Sequence, residues 1–149
     1  MGYQTLTANT TGTGNSALGA FALDKTTTGS FNTAFGYAAL TQQTATGSVY
    51  NTAMGYNAGA AITTGFNNTA VGGLALDAQT TGDYNVALGT LALSGDTTGN
   101  KSTGIGYGAL AAQNVTDSAD TFNTAVGYTA GAAITTGVRN TLILSLIHI

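Results

Sequence analysis

The chain lacks cysteine, proline, tryptophan and glutamate, and charge of either sign is scarce over its 149 residues. Without cysteine there is no disulfide scaffold and no thiol chemistry, although the compartment stays open. Charged residues make up 6%, against about 25% in an ordinary soluble domain. Three basic residues, Lys25, Lys101 and Arg139, are too few for the clustered footprint that nucleic acid requires. The net charge of −3 is too small to steer a particular partner. No apolar run approaches the ~20 residues that cross a bilayer, so no membrane contact is expected of this segment. The N-terminus carries no signal-peptide pattern. Hydrophobic content is 43%, which argues against a disordered chain.

What is present is a repeat. Units begin at Asn15, Asn32, Asn51, Asn68, Asn85, Ser102, Asn123 and Asn140, at spacings of 17, 19, 17, 17, 17, 21 and 17 residues. The common pattern is N-[ST]-A-h-G-x-x-A, where h is a large apolar residue, followed by a variable stretch and Thr-Thr-Gly. The h position carries Leu18, Phe35, Met54, Val71, Leu88, Ile105, Val126 and Ile143. Glycine follows at Gly19, Gly36, Gly55, Gly72, Gly89, Gly106 and Gly127, and alanine three residues later at Ala22, Ala39, Ala58, Ala75, Ala92, Ala109 and Ala130. The segment 59–65 recurs unchanged at 131–137.

A unit of 17 residues is too short for a helix pair or a propeller blade. Asn-Thr-Ala-h-Gly fits one short strand, and the glycine permits a bend. A second short strand is expected to hold the Ala-Leu pair, with Thr-Thr-Gly as a turn. The predicted fold is all-β, a parallel β-roll or β-solenoid of about eight coils, each pairing with its neighbours. Missing proline agrees, because proline removes a ladder donor. The two extra residues near Gln42–Ala45 and the four near Val115–Asp120 fall in the variable turn, where insertion costs little.

Side chains alternate faces along a strand. In Asn-Thr-Ala-h-Gly, alanine points one way and threonine and h the other, so both faces are apolar or small. Adjacent Ala22 and Leu23, or Ala75 and Leu76, give the same reading. Two apolar faces imply a second burial surface, hence a subunit interface. Alanines suit a thin interior and h the interface; the sequence alone leaves the opposite assignment open. Eight coils at about 4.8 Å make a rod of about 40 Å.

Both ends read as cut. Met1-Gly2-Tyr3 aligns with Met54-Gly55-Tyr56, each methionine lying 14 residues before a unit start. After Asn140-Thr141-Leu142-Ile143 a glycine is due but Leu144 stands there. Residues 144–149 match no unit and read as the translation of a transposon-type sequencing adapter, leaving residues 1–143 as the repeat domain.

At N-[ST]-A-h-G-x-x-A, from Met1 to Ile143, the chain resembles the YadA-like head repeats of trimeric autotransporter adhesins. The resemblance implies a left-handed parallel β-roll, three chains about one axis, a place at the cell surface, and attachment to a host-surface protein or glycan. It departs in having threonine (Thr33, Thr52, Thr69, Thr124) where the family often has valine, and in its longer coils with a Thr-Thr-Gly turn. Similar coils occur in bacteriophage tail fibres, so a virion tail fibre is the alternative owner. Either way the expected function is non-enzymatic, in a homotrimer without cofactors.

Candidate chemistry is sparse. Asp24 and Asp77 share a coil position three coils apart, about 14 Å, beyond the ~5–9.5 Å of a glycosidase pair. Asp117 and Asp120 sit in the long insertion, where a solvated loop is a simpler reading than a Ca²⁺ site, so no metal site is assigned. The glycines of Gly104-Ile105-Gly106-Tyr107-Gly108 belong to the repeat, not to a nucleotide loop. Tyr37, Tyr56, Tyr107 and Tyr128, with Tyr3, follow the glycine and form a ladder that either contacts a ligand or packs on itself. Asn32, Asn51, Asn68, Asn85 and Asn123 are expected to stack inward as an amide ladder. Recurrent Thr-Thr pairs raise ice binding as a remote alternative, against which adjacent residues of an extended chain face opposite ways.

Overall fold

One short strand recurs in every coil of the computed structural model, which describes residues 2–144. The strands are β1 (Ser16–Leu18), β2 (Gly29–Ser30), β3 (Thr33–Phe35), β4 (Gly47–Ser48), β5 (Thr52–Met54), β6 (Thr69–Val71), β7 (Val86–Leu88), β8 (Thr103–Ile105), β9 (Thr124–Val126) and β10 (Thr141–Ile143). Eight of them form one parallel sheet in the order β1-β3-β5-β6-β7-β8-β9-β10, and β2 pairs with β4. The register joins like with like: Ala34 to Ala53, Ala53 to Ala70, Ala70 to Ala87. The chain is therefore a β-solenoid of about eight coils.

Alternation sets the two sides of the main sheet. Ala34, Ala53, Ala70, Ala87 and Ala125 are buried, whereas Leu18, Phe35, Met54 and Leu88 are exposed. Alanine is inside because the opposite wall lies close, and the larger h residues point out. Gly36 marks the end of the strand. Its φ is +138°, and a Cβ there would lie 2.3 Å from the Gly55 carbonyl oxygen. A side chain is excluded twice, by backbone conformation and by the next coil.

The expected second strand is not there. The Ala-Leu stretch is a run of overlapping turns. In the third coil Ala58 N–H bonds to Gly55 O, Ala60 N–H to Asn57 O, and Ile62 N–H to Gly59 O. Asn57 and Gly59 have positive φ, as a type II turn requires at its third residue. The same alternation places Leu23, Leu40, Leu76, Leu93 and Leu110 at φ of 50–54°. Because φ changes sign at each step, neighbouring side chains no longer point to opposite sides. Both Ala22 and Leu23 are fully buried, which corrects the reading of that pair as two-faced.

A leucine in the left-handed region costs about 1–2 kcal/mol. Full burial of its side chain returns about 1.5–3 kcal/mol. The backbone also gains a bond along the rod, such as Leu76 N–H to Ala92 O at 3.1 Å and Leu93 N–H to Ala109 O at 2.9 Å. Packing thus overrides local preference.

The recurrent segment 59–65 has a packing reason. In the third and seventh coils the leucine slot holds Gly59 and Gly131, and an isoleucine three residues later fills the space. A Cβ on Gly59 would lie 3.0 Å from Ile62 Cδ1, and one on Gly131 would lie 3.4 Å from Ile134 Cδ1. Coils that keep the leucine carry Thr26, Gln43, Gln79, Asp96 or Gln113 at the isoleucine position, all buried.

The extra residues of the second coil fall slightly later than expected. Gly29 pairs with Gly47 and Thr33 with Thr52, so one lies at Thr46 and one at Val49, not over Gln42–Ala45. In the sixth coil Thr98 Oγ1 bonds to Val115 O, Asn100 bridges to Asp120 and Thr103 pairs with Thr124, so three of the four extra residues lie between Val115 and Asp120 and the fourth just after Asp120. At the far end Leu144 donates to Val126 O at 2.9 Å. Residues 145–149 lie outside the described residues, as does Met1.

Candidate functional site

The asparagines that open the coils face inward. Asn51 Oδ1 accepts from Asn68 N–H at 2.8 Å, and Asn68 Oδ1 from Asn85 N–H at 2.9 Å. Four of the Nδ2 groups donate to the glycine carbonyl of a Thr-Thr-Gly turn, Asn51 to Gly65, Asn68 to Gly82, Asn85 to Gly99 and Asn123 to Gly137, whereas Asn32 Nδ2 donates to Asn15 Oδ1 and Ser30 O. Asn32 continues the ladder through its Oδ1 to Asn51 N–H. This ladder closes the coil internally and leaves no amide for a ligand.

Where serine replaces asparagine, at Ser102, a polar network fills the gap. Gln113 donates to Ser102 Oγ at 2.8 Å and to the Asp96 carboxylate, and accepts from Asn123 Nδ2 at 2.7 Å. Ser102 also meets the Thr121 hydroxyl. Asp96 accepts from Gly99 N–H at 3.0 Å. The sequence reading missed these buried polar groups. Their signal was the polar residue three places after each leucine.

The outside of the sheet is different in kind. Alternation along the strand turns the residues one and three after the asparagine outward, and the residues one before it and five after it flank the strand at its two ends, where Phe31, Tyr37, Tyr50 and Tyr56 are exposed. The second coil presents Phe31, Thr33, Phe35 and Tyr37; the third presents Tyr50, Thr52, Met54 and Tyr56. None of these eight is buried. Tyr37, Tyr56, Tyr107 and Tyr128 therefore form one rim of a face whose centre is threonine and h.

The opposite rim went unread in the sequence. It holds Phe31, Tyr50, Asn67, Tyr84, Lys101, Phe122 and Arg139, every one at positive φ. Phe31 stacks on Tyr50 with centroids 5.1 Å apart, and Phe66 meets Tyr84 edge-on. Lys101 Nζ lies 5.2 Å from the Phe122 ring centre and 2.6 Å from Asp120. Asp120 of the insertion is thus paired with a cation.

The tyrosine rim is interrupted in sequence at Ala20, Gly73 and Thr90. In those coils the next residue is large: Phe21, Leu74 and Leu91. Phe21 packs edge-on between Tyr3 and Tyr37, with centroids at 5.5 and 5.6 Å, so in the first coil the next residue fills the gap in the column. Tyr37 stacks on Tyr56 and Tyr107 on Tyr128, at 5.5 and 5.3 Å and nearly parallel. Their ring faces point along the rod at each other, leaving edges and hydroxyls outward.

The face is about 20 Å wide and, over seven steps, about 34 Å tall, or about 700 Å². One partner in a standard protein interface buries about 800 Å². Its only charges among the described residues are Lys101 and Arg139, both on one rim.

Among the described residues no three His, Cys, Asp or Glu side chains gather as a metal site. Asp24 accepts from Thr7 Oγ1. Burial raises the Asp77 carboxyl above its usual range, against the backbone N–H groups of Asp77 and Ala78. Burial likewise raises Asp83, against a bond from Phe66 N–H. The threonine hydroxyls proposed for ice point along the rod: Thr63 Oγ1 donates to Thr80 O at 3.1 Å and Thr80 Oγ1 to Thr97 O at 2.8 Å. The chain matches no protein-family model, no curated protein and no solved structure.

Proposed function

We propose that this chain is a non-enzymatic segment of a homotrimeric, surface-exposed fibre that attaches to a host-surface protein or glycan by multivalent contact. The observation that carries the reading is the outer side of the strand ladder, where large apolar and aromatic residues such as Phe35, Tyr37, Met54, Tyr56 and Leu88 stay exposed on successive coils. A second copy of the same chain supplies an equally regular surface at the same rung spacing. Three copies and many coils then turn weak contacts into avidity. The resemblance to YadA-like heads supports the trimer and a bacterial cell-surface owner. A phage tail fibre would use the same assembly.

Sedimentation equilibrium of the chain tests the assembly. A mass of three chains is expected, and a monomer at micromolar concentration would refute it. Attachment is tested with beads coated with the assembled rod, scored on glycan and matrix-protein arrays against beads coated with a charge-matched globular protein. No difference between the two beads removes the adhesive part.

A further inference from the structure

We infer that the two aromatic rims of the outer face are complementary halves of one subunit seam, so that the tyrosine rim of one copy meets the Phe31–Phe122 rim of the next, in parallel and in register. The inference rests on the oligomer proposed above but specifies which side chains meet.

The argument begins with the face as a strip. Its centre is narrow, made of threonine and h residues, and both margins carry rings. Three such strips about 20 Å wide, joined edge to edge, enclose a triangular space whose walls stand about 6 Å from the axis. Side chains the size of Leu18, Phe35, Met54, Val71 and Leu88 fill that depth. At each corner unlike rims meet, because rotation about an axis parallel to the rod brings the left edge of one strip against the right edge of the next. Such an interface is heterologous and closes by rotation.

In that arrangement the rims of one coil level meet, with Gly14 facing Phe21 in the first coil and Tyr84 facing Thr90 and Leu91 in the fifth. The second, third and seventh coils carry aromatics on both rims: Phe31 with Tyr37, Tyr50 with Tyr56, Phe122 with Tyr128. The fourth carries one on neither position, with Asn67 and Leu74 instead. The rim cation Lys101 falls at the level of Tyr107, whose ring is a favourable neighbour for an ammonium group. An antiparallel pair would set each rim against itself and lose this correspondence.

Because the chain has no cysteine, engineered thiols report the seam cleanly. Tyr50→Cys and Tyr56→Cys stand on opposite rims of one coil, up to about 20 Å apart, too far to close within a chain when disulfide Cα atoms lie at about 4.4–6.8 Å. Oxidation of the double variant should give a covalent three-chain band on a non-reducing gel, while each single variant stays at one chain. Phe122→Cys with Tyr128→Cys repeats the test four coils away, should the first pair disturb folding. Single variants that cross-link as readily as the double would mean like rims meet and would overturn the seam. Failure of both doubles to cross-link, in samples that still sediment as trimers, would also overturn it while leaving the trimer standing. Samples that sediment as monomers would overturn both.

Discussion

Each coil has two walls built on different principles. On the strand wall, three residues in register carry the ladder, and the column containing Gly36 and Gly55 comes so close between coils that no Cβ fits. On the turn wall, the chain alternates the sign of φ, and leucines occupy a conformation they ordinarily avoid. The first wall is fixed by backbone contact, the second by side-chain burial. That difference explains their tolerance. The glycine is never replaced over seven coils, whereas the leucine yields twice to a Gly–Ile exchange and the adjoining turn accepts two insertions.

Alanine placed in three glycine environments should break the comparison most sharply. Gly36→Ala meets a carbonyl at 2.3 Å from a left-handed backbone and should cost about 4 kcal/mol or more. Gly47→Ala, left-handed but in open space, should cost about 1–2 kcal/mol. Gly73→Ala, in open space without positive φ, should stay within about 0.5 kcal/mol. Denaturant midpoints at constant m-value check all three. Equal losses would remove the close-approach account of the strand wall.

On the turn wall, Leu76→Ala should cost about 3 kcal/mol through an internal cavity. A loss under about 1 kcal/mol would mean that the turns hold without their leucines. The asparagine ladder joins the walls. Asn68→Ala strands the N–H of Asn85 and the carbonyl of Gly82, for about 2 kcal/mol. Hydrogen exchange at Asn85 should accelerate more than at Ala87 of the neighbouring strand.

The smallest effect is in pH. Asp77 and Asp83 have carboxyls raised by burial, so the folded chain holds their protons more tightly than the unfolded one. Their contribution is most favourable below the unfolded value of 3.8 and is lost as pH rises through the folded value. Unfolding free energy should therefore rise slightly on acidification from pH 7 toward 4, by under about 1 kcal/mol, which denaturant midpoints across that range check. Asp77→Asn should flatten part of that slope.

The seventeen-residue beat, the glycine column and the inward asparagines were legible because each recurs at one fixed position, and a parallel ladder stacks like on like. The h stripe was legible as one of two apolar faces, and burial of alanine decided between them. The Ala-Leu stretch was misread as a strand because Leu23 or Leu40 carries no local mark of positive φ. Only closure of the coil makes that conformation favourable. The second rim was missed because Phe31, Asn67, Lys101 and Arg139 share no residue type, only a direction.

By itself, then, the sequence determined the repeat, its parallel stacking and the positions where a side chain is forbidden, since these follow from identity at a constant interval. Tertiary structure alone decided the turn wall, the pairing of Gly59 with Ile62, the network around Gln113 and the gathering of two aromatic rims on one face. Each of those depends on groups brought together when the coil closes or stacks on its neighbour, and no single repeat position encodes them.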